Sequence, residues 1–170
     1  MVIEDIIPTL PKKKGGIENA YKNCCKNKKF IPVKKDNFSV YLEKAKSDLS
    51  NTKTDFGNQA WDGVIIKCYY AIHHAINALL VKSQGFYSKD HICAILALNY
   101  LKLISESFYK KLREINTKFS DFTGFEISYS LRKLSQYDVL KWKSINKKDA
   151  EQIYSLAKEL ILFVEVECYK

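Results

Sequence analysis

The segment Leu131-Arg132-Lys133-Leu134-Ser135-Gln136-Tyr137-Asp138 is the most polar cluster inside an otherwise apolar helical run. Arg132, Ser135 and Gln136 lie one turn apart on a helix, and Tyr137-Asp138 closes the group. A guanidinium so placed can grip a phosphate through two parallel hydrogen bonds and steady the charge of a phosphoryl-transfer transition state. The same arginine can instead pair with Asp138 or a neighbouring carboxylate and simply end its helix, and the residues alone lean to that second role. The other groups with acid-base potential are His73, His74 and His91. Adjacent side chains point about 100° apart on a helix, so His73 and His74 cannot act as a metal-binding pair one turn apart. One of the two reads as a hydrogen-bonded interior or interface histidine. His91, at the start of a helix, reads as a capping-region residue before it reads as a base.

Several other chemistries find no support. The five cysteines, Cys24, Cys25, Cys68, Cys93 and Cys168, show no CxxC and no Cys/His spacing suited to zinc. Cys68 and Cys93 sit among apolar residues as small core side chains would. An odd cysteine count fits a reducing, cytoplasmic setting. The sequence carries no phosphate-cradling glycine loop, HExxH, EF-hand loop or GxSxG. No metal or other cofactor is implied.

Charge is unevenly spread. Residues 1–35 carry nine lysines against Glu4, Asp5 and Glu18, which is most of the chain's net +9. Lys12-Lys13-Lys14 is the densest run. A basic segment attracts polyanions, RNA included, by neutralising phosphates and releasing counterions; a solvated leader from a lysine-rich proteome explains the same composition equally well. Pro8, Pro11, Gly15-Gly16 and Pro32 punctuate this region, so it reads as a basic N-terminal arm with at most a turn or two of helix. Val2 to Ile7 is short, acidic in the middle and followed by Pro8, unlike a secretory leader.

The elements that must position the candidate residues follow from periodicity. Proline is absent after Pro32, so nothing interrupts long helices. A helix over about 36–53, capped by Asp36 or Asn37, would turn Val40, Tyr41, Ala45, Asp48 and Leu49 inward. A second, over about 57–81, carries two apolar stripes, Ala60-Val64-Cys68-Ala71-Ala75-Leu79 and Trp61-Ile65-Tyr69-Ile72-Ile76, as a helix packed on several sides would. Lys67, His73, His74 and Asn77 interrupt it too often for a membrane span. Gly85 suits the left-handed cap that follows. A third helix starts at Ser88, capping the amide of His91, and runs to about Glu114. A fourth covers about 122–136, and a last begins after Asn146, with Asp149 in its first turn. The pattern is an all-α, up-and-down bundle of four to five helices spanning 36–170, with 1–35 as an N-terminal extension.

Two stretches carry a family resemblance: Tyr69-Tyr70-Ala71-Ile72-His73-His74-Ala75-Ile76-Asn77-Ala78-Leu79-Leu80, then Gly85 and Ser88-Lys89-Asp90-His91. Together they resemble the HEPN domain, with its Tyr-Tyr-Ala helix, its glycine turn and a Lys/His pair opening the next helix. Arg132 to Asp138 is similar to an arginine motif of one prokaryotic HEPN branch. The resemblance covers about 36–170. It implies a helical bundle that usually dimerises. Many such proteins are metal-independent endoribonucleases, toxins of toxin-antitoxin pairs or defence nucleases, and others are inactive RNA- or nucleotide-binding modules.

Active members place a histidine after the motif arginine with four to six residues between them. Here no histidine follows Arg132, and Tyr137 stands in that window. An unperturbed tyrosine, with a pKa of about 10, is a poor base at neutral pH. On the resemblance, Arg132 would bind the scissile phosphate with Tyr137 and Asp138 shaping the site, and Lys133, Lys89, His91, Lys12, Lys13 and Lys14 would contact nucleic acid. A homodimer is expected, with a minimal nucleotidyltransferase as a candidate partner and no membrane. The competing expectation is a non-catalytic dimeric module that binds RNA or a nucleotide.

Overall fold

The computed structural model describes residues 9–123 and 143–170. The helix expected over 122–136 and the residues Arg132, Lys133, Tyr137 and Asp138 lie outside the described residues, save the helix's first two positions.

Helix α1 (Lys14–Lys26) leads to a short strand β1 (Phe30–Pro32) and a 3-10 turn, Lys35–Asn37. Helices α2 (Phe38–Ser50), α3 (Thr52–Gly57) and α4 (Trp61–Gln84) follow, then strand β2 (Phe86–Ser88), α5 (His91–Tyr100), α6 (Glu106–Thr123) and α7 (Lys147–Cys168).

Helix α4 is the centre. Both predicted stripes are buried, from Val64 and Ile65 through to Leu79, because α7 and α2 pack along its sides and α5 and α6 close it further. Its mean hydropathy of 1.4 over an 18-residue window would suit a membrane span, yet 78% of that window is buried inside the bundle. It ends where Gly85, at φ 74°, turns left-handed and donates its N–H to the Val81 carbonyl. The last helix also starts as expected: Asn146 accepts from the Asp149 amide and Asp149 from the Asn146 amide, a reciprocal capping box. Its stripe Ala150, Ile153, Ala157, Leu160, Ile161 and Val164 is buried.

Four local expectations are corrected. Helix α2 buries Phe38, Leu42, Ala45 and Asp48, leaving Val40 62% exposed, because the buried stripe runs at i, i+4, i+7 and i+10 from Phe38 and Val40 falls on the opposite side. Neither Asp36 nor Asn37 caps α2 with its side chain. The cap of α5 is Asp90, which accepts from the Cys93 amide at 3.0 Å, whereas Ser88 accepts from the Asp90 amide. The long third helix is two helices, broken at Leu101–Ser105, where Lys102 takes φ 56°.

The basic N-terminal region is also more ordered than its composition suggests. Leu10, Ile17 and Cys24 recur at sevenfold spacing and are all buried, so α1 has a narrow apolar seam lying on α5. A disulfide joins Cys24 to Cys93 of α5, and Tyr109 donates to the Pro11 carbonyl at 2.7 Å. Strand β1 pairs antiparallel with β2, Ile31 opposite Tyr87.

Candidate functional site

On α4, Tyr69, His73 and Asn77 stand at i, i+4 and i+8, forming a polar ladder inside the apolar surface. Asn77 fastens β2 to this helix: its Oδ1 accepts from the Ser88 amide at 3.0 Å and its Nδ2 donates to the Ser88 carbonyl at 2.9 Å. The remaining amide hydrogen faces His73 Nε2 at 3.2 Å. That arrangement makes Nε2 an acceptor and leaves the ring proton on Nδ1. Nδ1 is buried and finds no hydrogen-bond partner within the described residues.

His91 closes over the ladder. Asp90 turns the chain so that His91, the first residue of α5, points inward and is 6% exposed. Its ring stacks on His73 at 3.8 Å and on Tyr69 at 4.7 Å, while Tyr69 donates to Asn116 of α6 at 3.1 Å. A cavity of only about 10 Å³ remains among Tyr69, His73, His91 and Asn116, about the room one water needs.

Burial governs the ionisation of these rings. Desolvation, reinforced by neighbouring His91 and His74, holds His73 well below the usual histidine value. Desolvation also brings His91 down to about 4, against a smaller opposing pull from Asp90. Both rings are neutral at pH 7. His74, on the adjacent face, is 26% exposed, with Nε2 3.6 Å from Asp48 Oδ2 of α2; Lys44 donates to the same carboxylate. Its pKa is also lowered, first by desolvation, with Asp48 opposing and Lys44 adding.

The structure scatters the other expected site residues. Lys89 is exposed between β2 and α5. Lys12, Lys13 and Lys14 are exposed at the start of α1. Lys12 and Lys14 line a groove of about 740 Å³ with Tyr100 and Lys102, far richer in contacts than a free arm would offer. His91, expected at a nucleic-acid surface, is instead an interior residue, because the Asp90 cap fixes the direction of the first turn of α5. Among the described residues, no three His, Cys, Asp or Glu groups converge as a metal site.

The HEPN domain family matches residues 38–167, which runs from the start of α2 almost to the end of α7. The chain belongs to the HEPN family. Its helical bundle is thereby accounted for, and at the family level it is an RNA-associated protein. No curated protein and no solved structure matches it. The matched span begins after α1 and β1, so these elements and Cys24 of the disulfide lie outside it.

Proposed function

We propose that this HEPN protein acts by binding RNA, as a non-catalytic homodimeric module. The observation that carries this reading is the use made of the histidines. A general base must reach its proton within hydrogen-bond distance. His73 and His91 are instead stacked on each other inside the bundle, neutral, with Asn77 tying the first of them to β2. Their chemistry is spent on fastening α4, β2 and α5 together. HEPN domains commonly dimerise, which supports the homodimer. A minimal nucleotidyltransferase remains a candidate partner. The cytoplasmic setting rests on the odd cysteine count alone, and the Cys24–Cys93 bond weighs against it, because disulfides are rare where the thiol pool is reducing.

One observation favours a second reading, a metal-independent endoribonuclease. His74 is half-buried, neutral and faced by Asp48, as an oriented base would be. In that reading Arg132 binds the scissile phosphate, and Tyr137 and Asp138 shape the site. The ribose 2′-hydroxyl gives its proton to His74 and attacks phosphorus as the bond to the 5′-oxygen breaks, that oxygen taking a proton from water.

The test is incubation of labelled single-stranded RNA with purified protein in EDTA, for the wild type, Arg132→Ala and His74→Ala. We expect RNA to be bound and left intact by all three. Cleavage by the wild type that both substitutions abolish would replace the module with the nuclease. Absence of any RNA binding would overturn both.

A further inference from the structure

The groove at the start of α1 has features the buried histidine cluster lacks: it is open and basic, and its aromatic ring reaches the surface. Its walls come from the first turn of α1 (Lys12, Lys14, Ile17), the end of α5 (Asn99, Tyr100), the turn beyond it (Lys102) and the start of α6 (Glu106). Its volume of about 740 Å³ lies within the range of ligand pockets. The two acids on its rim are engaged. Glu18 is paired with Lys22 at 2.7 Å, and Glu106 accepts from Asn99 at 3.2 Å. Lys12 and Lys102 form no ion pair among the described residues. Lys22 offsets Glu18, while Glu106 keeps its charge against three lysines, so positive charge outnumbers negative on the groove walls.

Tyr100 supplies the aromatic surface. One face of its ring is covered by Tyr21 of α1 at 4.2 Å and 19°, while the residue remains 38% exposed and lines the groove. The walls are held before any ligand arrives. The Tyr21–Tyr100 stack and the Cys24–Cys93 disulfide both join α1 to α5, and the bond from Tyr109 to the Pro11 carbonyl anchors the chain just ahead of Lys12. Preorganised walls reduce the ordering cost of binding. Lys102 adds a separate sign. It occupies φ 56°, a left-handed conformation that disfavours side chains, directly after α5 and on the groove. A glycine would be more comfortable there, so the lysine is held at a conformational cost.

We infer that this groove is a binding site for single-stranded RNA, with a base stacked on Tyr100 and neighbouring phosphates held by Lys12, Lys14 and Lys102. The inference rests on the RNA-binding reading and assigns that binding to a groove where Lys12 and Lys14, which precede the matched family span, meet Tyr100 and Lys102 within it. Unstacked bases on an aromatic platform beside lysines are how single strands are bound without sequence readout. Tyrosine stacking favours single strands because a duplex keeps its bases paired and stacked.

The experiment is fluorescence anisotropy of a short labelled single-stranded RNA with the full chain, titrated at several salt concentrations. Tyr100→Ala is expected to weaken binding about tenfold and Tyr100→Phe to retain it. Lys102→Gly relieves the left-handed backbone, so it should melt no lower than the wild type while shallowing the log-log salt dependence by about 0.7. Lys53→Ser, on α3 and outside the groove, is the charge-matched control. Tyr100→Ala and Lys102→Gly binding no more weakly than Lys53→Ser would overturn the groove while leaving RNA binding in place. A wild type that binds no RNA would remove the underlying reading and the groove with it. Equal affinity for duplex RNA, unaffected by Tyr100→Ala, would also overturn the proposal.

Discussion

Acidification should loosen this fold through His91, by an amount the structure allows to be worked out. In the unfolded chain an imidazole takes a proton near its ordinary value of 6.5, whereas His91 in the fold resists until about 4, chiefly through desolvation. Between those values the unfolded state binds more protons, so stability falls as pH falls and is fully kept above about 6.5. One pKa unit corresponds to about 1.4 kcal/mol. The full drop from 6.5 to about 4 is thus worth about 3 kcal/mol, of which about 2 kcal/mol is lost by pH ~4.5. His73, stacked 3.8 Å away and lowered for the same reason, pushes in the same direction. Carboxylates respond to acid as well, so the decisive comparison is with His91→Phe, which keeps a ring against His73 and Tyr69 but cannot titrate. Urea unfolding midpoints at about pH 7 and about pH 4.5 should separate more for the wild type than for the variant, by about 2 kcal/mol at constant slope. Equal pH dependence in the two proteins would refute the claim that His91 is buried and neutral.

Two further outcomes test the fastenings of the fold. Reducing Cys24–Cys93, or replacing Cys24 with Ser, releases a cross-link across a sequence separation of 69 and should cost about 4 kcal/mol on the chain-entropy account; a melting temperature unchanged by dithiothreitol would contradict it. Asn77→Ala leaves the buried Ser88 amide and carbonyl without the partners they have now, for a loss of roughly 3 kcal/mol in chemical denaturation; a loss below about 1 kcal/mol would mean that β2 is not fastened to α4 through this side chain.

Much of the architecture was legible from periodicity. The two stripes of α4 are visible because a helix buried on several sides needs apolar residues at nearly every turn, and the glycine cap and the Asn146–Asp149 box are local geometry written in adjacent residues. The break between α5 and α6 was not legible, because Leu101 to Ser105 includes neither proline nor glycine, and a lysine bears the left-handed turn. The N-terminal region was hidden for a related reason. Its anchoring apolar residues are only Leu10, Ile17 and Cys24, a seam too thin to stand out among lysines until α5 provides the surface it covers.

The candidate sites divide in the same way. The ladder Tyr69, His73 and Asn77 is a one-turn spacing readable along a single helix, and the lysine run at 12–14 is plain as adjacent residues. Sequence alone therefore determined the all-helical bundle, the central helix with its glycine cap, the Asn146 cap and the HEPN resemblance, since these depend on contacts within a turn or a motif. Only the tertiary structure decided that His91 lies against His73, that Cys24 meets Cys93, and that Lys12 shares a groove with Tyr100 and Lys102. Those pairings join residues far apart in the chain, and their proximity comes from which helix faces pack together, which periodicity along one helix does not encode.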